Sequence, residues 1–204
     1  MTAEAASLKN GAAAAADTEL VTRAIAGREE GFAELVRRYQ RPIAAYVYRM
    51  VGDYDAALDL TQEVFIKVYG SLTRYRPEFK FSTWIYRIAH NAAIDHLRRS
   101  DGSRTEDLQA EGEGGRTFER PLASAAPTPE QESERSERRA EIESVVRELP
   151  PAYRELIVLR HSLDLSYDEI AEVTGLPLGT VKNRIFRARE AMRSLLVGRG
   201  ITGM

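Results

Sequence analysis

The sequence predicts an all-α protein built from two small helical domains joined by a flexible acidic linker. Three observations carry that expectation. Apolar residues recur three and four positions apart along two long stretches, and no segment alternates as a half-buried strand would. Between those stretches, residues 100–128 are punctuated by glycine and proline and hold few large apolar side chains. Near the C-terminus, a helix cap, a turn glycine and a basic helix follow one another at helix-turn-helix spacing. A chain of 204 residues with 43% hydrophobic content can bury one medium core or two small ones.

The elements follow in order. Residues 1–16 include Glu4 and a short alanine run but no leucine-rich core, so they read as a mobile tail and not as a secretion signal or membrane span. Residues 17–99 accommodate four helices. In the third, Asp53 is placed to cap the N-terminus, Ala57, Leu60, Val64 and Val68 form one stripe, and Gly70 is expected to end it. Asp59, Gln62, Glu63 and Lys67 occupy its other face. The linker 100–128 carries six carboxylates (Asp101, Glu106, Asp107, Glu111, Glu113 and Glu119) against three arginines (Arg104, Arg116 and Arg120), a balance that repels DNA. Thr128, Pro129 and Gln131 then spell a helix start and open a second helical domain over 129–197. Its first helix turns Ile142, Val145, Val146 and Leu149 inward and stops at Pro150 and Pro151. A second helix continues through Tyr153, Leu156, Ile157 and Leu159, and residues 198–204 form a short tail.

Ser166 and Glu169 compose a capping box, so a helix begins at Tyr167 and reaches a turn at Thr174 and Gly175, where glycine supplies a positive φ. After Pro177 a further helix begins. Ala171 is small enough to let the two helices approach, and Val181 fills the angle between them. With Val181, Ile185 and Ala188 inward, Thr180, Lys182, Asn183, Arg184 and Arg187 face out. These are groove-reading side chains. Arginine binds a guanine edge bidentately, asparagine does so with adenine, and Lys182 or Thr180 can hold phosphate near the helix start.

Composition narrows the alternatives. A formal net charge of -2 excludes a polybasic protein that holds DNA by bulk electrostatics, so any contact must come from local patches. The absence of cysteine removes disulfides, thiolate nucleophiles and Cys-based zinc sites and fits a cytoplasmic location. None of the three histidines, His90, His96 and His161, belongs to a zinc-hydrolase motif, and the glycines at 112–115 lack the lysine of a phosphate loop. No metal, cofactor or catalytic residue is expected, and the chain is not read as an enzyme.

Three further stretches complete the picture: Asp59-Leu-Thr-Gln-Glu-Val-Phe65, the run from Phe81 to Arg99 that opens Phe-Ser-Thr-Trp-Ile-Tyr-Arg, and Gly179-Thr-Val-Lys-Asn-Arg-Ile-Phe-Arg-Ala-Arg189. In this order and spacing they resemble the extracytoplasmic-function (ECF) sigma factors of the sigma-70 family, from about Asp17 to Leu196. The resemblance implies a sigma-2-like bundle and a sigma-4-like helix-turn-helix domain. It implies core RNA polymerase (its beta-prime and beta subunits), promoter DNA and an anti-sigma factor as partners, with no membrane insertion. Asp59, Gln62, Glu63 and Phe65 fall on the polymerase-binding helix, with Phe65 also packing internally. The stretch from Tyr75 to Arg99 matches the part that opens the minus-ten element. There, Tyr75, Phe79, Phe81, Trp84 and Tyr86 lie among Arg74, Arg76, Lys80 and Arg87, a composition suited to unstacked bases. Helical spacing assigns Trp84, Ile85, Ile88 and Ala92 mostly to the core, which leaves Phe79, Lys80, Arg87, Asn91, Arg98 and Arg99 as the DNA candidates. His90 stands where many relatives have arginine and puts a phosphate contact there in doubt.

A flexible linker of about 28 residues spans about 30 Å on average and about 90 Å when stretched, whereas elements roughly 17 base pairs apart lie on the order of 60 Å from each other. Polymerase must therefore hold the linker extended. A helix-turn-helix regulator that is not a polymerase subunit remains the alternative, although residues 17–99 lack the alternating strands and helices of a receiver domain. An enzyme with an unrecognised site in its helical first domain is a more distant one.

Overall fold

A computed structural model describes residues 16–103 and 129–201; every regular element among them is helical. The tail up to residue 15, the cap Thr128 and the linker beyond Ser103 lie outside the described residues. The chain splits into two compact units.

The first unit holds α1 (16–25), α2 (Glu29–Val51), α3 (Tyr54–Ser71) and α4 (Phe81–Ser103). Its core is the meeting of α2, α3 and α4, filled by Leu35, Ile43, Tyr46, Val47, Met50, Val64, Val68, Phe81 and Ile85. Gly31 explains how α1 and α2 approach so closely: a Cβ there would lie 2.7 Å from the Leu20 carbonyl oxygen and 2.9 Å from the Ala24 nitrogen, closer than any side chain is tolerated. Asp53 caps α3 as expected, its carboxylate accepting from the Ala56 N–H at 2.7 Å.

Gly70 does not end α3. The helix continues through Ser71 and tightens into a 3₁₀ turn over Leu72–Arg74. That turn buries Leu72 and Tyr75, and apolar burial outweighs the local preference of glycine for a helix end. Helix α4 likewise runs four residues beyond Arg99.

The second unit holds α5 (Pro129–Glu148), α6 (Pro151–Ile157), α7 (Tyr167–Thr174) and α8 (Leu178–Gly198). Helix α8 packs on α5 and α6 over Val145, Leu149, Leu156, Leu159, Val181 and Ile185. Arg154 fixes the α5–α6 corner by donating to the carbonyls of Arg147 (2.5 Å) and Leu149 (3.2 Å), which satisfies acceptors left open at a helix C-terminus. Helix α6 does not stay regular to Leu159; it widens into a π turn over Val158–Ser162. The C-terminal tail expected from residue 198 is partly folded. Ile201 donates back to the Leu196 carbonyl at 3.0 Å, Gly200 has φ +76, and Arg199 pairs with Glu148 at the end of α5.

Candidate nucleic-acid interface

In the second unit, local chemistry starts and ends α7 as the sequence predicts. The Ser166 hydroxyl accepts from the Glu169 N–H at 3.2 Å while the Glu169 carboxylate accepts from the Ser166 N–H at 2.8 Å, a reciprocal cap that starts α7. Gly175 ends it at φ +71, donating to the Ala171 carbonyl at 2.8 Å. Val181, Ile185 and Ala188 are buried, as are Ile170 and Val173, so the rotation of α8 about its axis is fixed by its apolar stripe.

That rotation turns Thr180, Asn183, Arg184 and Arg187 into one open groove of about 660 Å³, whose opposite wall is Pro150, Ala152 and Tyr153 at the start of α6. Lys182 is exposed but does not line the groove: two residues on from Thr180, it points about 200° further round the helix. It shares that side with Phe186, which is exposed and which the periodicity of the apolar stripe gave no reason to single out.

Behind the groove lies a group that sequence reasoning missed. Glu155 on α6 is buried, and burial pushes its carboxyl up to about 7, against the charge of Arg184, which pulls it down. The base-reading candidate Arg184 therefore has a buried acid within electrostatic reach. Nothing in the run Tyr-Arg-Glu-Leu marks this glutamate as buried; only the packing of α6 on α8 does.

In the first unit, Asp59, Gln62 and Glu63 share an exposed face of α3, and Glu63 pairs with Lys67 at 3.6 Å. Phe65 packs internally, as its place in the motif suggested: it is only 9% exposed and lies on the side of the helix that carries Val64 and Val68. The face instead presents Ile66 (71% exposed) and Tyr69 (65%), with Tyr69 in edge contact with Phe32 at 4.9 Å. Ile66 falls out of step with the stripe Leu60, Val64, Val68, and that mismatch was the available signal.

Four of the five aromatic residues in the stretch from Tyr75 to Arg99 are drawn inward. Tyr75, Phe81 and Tyr86 are buried and Trp84 is half-buried. Tyr39, Phe81, Tyr75 and Trp84 form a ring cluster with centroids 5.4 to 5.6 Å apart. Phe79, half-exposed, is the aromatic candidate left at the surface, beside exposed Lys80. Arg87, Asn91 and Arg98 are exposed along one line of α4, since steps of four and seven residues return to nearly the same side. Arg99 is exposed but turned about a third of the way round, its Nε donating to the Asp95 carbonyl at 3.2 Å. His90 is buried beside this line, and burial, then the charges of Arg98 and Arg87, lower it to about 4. It is neutral at physiological pH and offers no cation to a phosphate.

Among the described residues no cluster of three metal-ligating side chains occurs, and no helix is long and apolar enough to cross a membrane.

Comparison with known proteins matches the same two stretches. The model for Sigma-70 region 2 covers residues 35–103, and that for Sigma-70 region 4 covers 139–192. The chain is 37% identical over 170 residues to the ECF RNA polymerase sigma factor SigW of Bacillus subtilis, covering 83% of this chain and 91% of that relative. Among solved structures it is similar to CnrH in complex with the cytosolic domain of CnrY, at 25% identity and a TM-score of 0.65 over 90% of this chain and 98% of that one. It shares its fold with the sigma factor RpoE in complex with the anti-sigma factor NepR from Bartonella quintana, at 20% identity and a TM-score of 0.62 over 81% and 96% of the two chains. A match that runs through both units and nine-tenths of a curated relative leaves one family: the chain belongs to the ECF RNA polymerase sigma factors.

Proposed function

We propose that the two units divide the work of promoter-specific initiation, which membership of this family makes the function of the chain with RNA polymerase. The groove of Thr180, Asn183, Arg184 and Arg187 reads the minus-thirty-five element in duplex form. The Arg87–Asn91–Arg98 line, with Arg99, and the loop bearing Phe79 and Lys80 take the unstacked strand of the minus-ten element. The α3 face of Asp59, Gln62 and Glu63, extended by Ile66 and Tyr69, docks on the clamp helices of the beta-prime subunit.

The convergence of the reader side chains on one groove carries this reading, because a duplex edge must be met by several donors at once. The domain boundaries that go with it are 17–99 and 129–197, joined by the acidic linker. The protein is a regulatory subunit without an active site of its own, acts in the cytoplasm, and is masked by an anti-sigma factor, as RpoE is bound by NepR in the structure of that pair. A helix-turn-helix regulator outside the polymerase is not favoured, since it gives no account of the region 2 match at 35–103.

Run-off transcription with purified core polymerase tests the reading. Discrete transcripts that require this chain and no other factor are expected, and their absence across a genomic fragment library would sink it.

A further inference from the structure

The loop that follows the 3₁₀ turn carries the exposed Phe79 and Lys80, yet from Tyr75 to Lys80 it contains no helix or strand of its own to hold it. Its shape is set from beneath. Residues 76–79 close a turn, the Phe79 N–H donating to the Arg76 carbonyl at 3.1 Å with Pro77 in the position that favours it. The Tyr75 hydroxyl then donates to the Phe79 carbonyl at 2.6 Å. Tyr75 is buried, and its ring sits 5.6 Å from Phe81 and 5.5 Å from Trp84. One buried phenol thus spans the loop and grips the backbone of the residue whose side chain stands out.

Both stems of the loop are braced by two adjacent residues at the start of α1. Thr18 hydrogen-bonds the Tyr75 hydroxyl, and this contact holds the first stem. The buried Asp17 carboxylate accepts from Tyr39 Oη and from Arg38, both at 2.5 Å. The Tyr39 ring in turn rests against Phe81, the residue at the second stem, at 5.4 Å.

We propose that Tyr75 is a positioning residue for capture of an unstacked base: through its hydroxyl it fixes the Phe79 carbonyl and thereby the direction of the Phe79 ring, with Asp17 and Thr18 of α1 locking the clamp. The proposal rests on the assignment of Phe79 and Lys80 to the minus-ten strand. Preorganising a loop removes an ordering cost that binding would otherwise meet, and a misdirected ring loses stacking, which is sequence-tolerant, together with any base preference set by the direction of approach.

The test uses holoenzyme reconstituted from full-length protein and core polymerase, with a single-stranded DNA library randomised over a short window and sequenced after capture. The best-captured sequence then serves as the affinity probe. Tyr75→Phe keeps the ring cluster and deletes the clamp. It is expected to lower affinity for the probe about fivefold, the effect of one lost hydrogen bond, and to relax base preference at one position while lowering the melting temperature by no more than a few degrees and leaving core polymerase affinity unchanged. Phe79→Ala should lower affinity at least as much, and the double variant should be no worse than Phe79→Ala alone, because the clamp acts only through Phe79. Thr18→Val, which leaves the phenol in place, should reproduce part of the Tyr75→Phe effect.

If Phe79→Ala and Lys80→Ala bind the probe as the parent does, the minus-ten assignment itself fails. If they weaken binding while Tyr75→Phe does not, or if the effects of Tyr75→Phe and Phe79→Ala add in full, the assignment stands and the clamp is overturned.

Discussion

The two units present their nucleic-acid candidates by opposite means, and each buries a group whose charge is suppressed, in opposite senses. In the second unit the reader is a rigid helix face, directed by a capping box, a turn glycine and three buried apolar residues. In the first, Phe79 and Lys80 stand on a loop whose direction comes from a buried phenol and from α1. A duplex edge is a fixed target and suits a fixed helix, whereas an unstacked base can be met by a loop, provided that something beneath the loop holds it. Behind these surfaces, burial keeps His90 from gaining a positive charge in the first unit and Glu155 from gaining a negative one in the second.

The largest expected effect follows from those two groups. His90 falls from its ordinary 6.5 to about 4. The first unit is therefore stabilised above pH 6.5, and that contribution is lost as pH falls through 4. Glu155 rises from 4.5 to about 7. The second unit is therefore stabilised below pH 4.5, and that contribution is lost as pH rises through 7. Each swing is on the order of 3 kcal/mol. Urea denaturation followed by the single tryptophan, Trp84, should report the first unit weakening in acid. Exchange of α8 amides, corrected for intrinsic rate, should report the second weakening as pH rises from 4.5 through 7. His90→Gln and Glu155→Gln should each flatten only their own unit's profile, and a common response of both units would break the comparison.

Next in size is the reader itself. Arg184→Ala should reduce discrimination between a selected minus-thirty-five element and its point variants by about 1 to 3 kcal/mol, concentrated at one position. A loss spread equally over all variants would make Arg184 a phosphate contact and would leave base reading to Asn183 and Arg187.

On α3, Tyr69→Ala should weaken core polymerase binding by about 2 kcal/mol, as loss of an aromatic anchor does, and Glu63→Lys by about 1 kcal/mol with strong salt dependence. Neither should lower the melting temperature by more than a few degrees, because both side chains are largely exposed. Unchanged polymerase affinity in both would remove this face from the interface and leave the first unit with its DNA surface alone.

These effects also mark what could be read from the sequence. The cap of Asp53, the box of Ser166 and Glu169, the turn at Gly175 and the inward stripe of α8 were legible because each is a short-range contest between a side chain and nearby backbone. The failures came where distant packing decided. Gly70 lost to the burial of Leu72 and Tyr75, and the π turn at Val158 leaves no mark in the apolar spacing. Aromatic residues look alike in a sequence whether they face DNA or a core, so keeping Phe79 as the aromatic DNA candidate did not by itself place Tyr75, Phe81 and Tyr86, which packing buries. Phe65 and Ile66 differ by one position and by about 100° of rotation, which is all that separates a buried residue from the most exposed apolar side chain of α3. Glu155 was invisible for the same reason, since its burial is made by α8.

The smallest effect sharpens the comparison most finely, because it lies within one helix. Lys182, expected to hold phosphate near the helix start, is exposed on a side of α8 away from the groove. A cation there can meet only the sugar-phosphate backbone, and such contacts act on every sequence alike through counterion release. Lys182→Ala should therefore weaken binding of holoenzyme to selected and scrambled upstream elements by the same factor, less than tenfold, and lower the slope of log affinity against log salt by about one. Asn183→Ala, one residue along and inside the groove, should do the reverse: little change in salt slope and a loss confined to one base position. If Lys182→Ala instead alters base preference, α8 enters the duplex rotated from the direction its buried stripe sets, and Phe186 rather than Arg184 would face the bases.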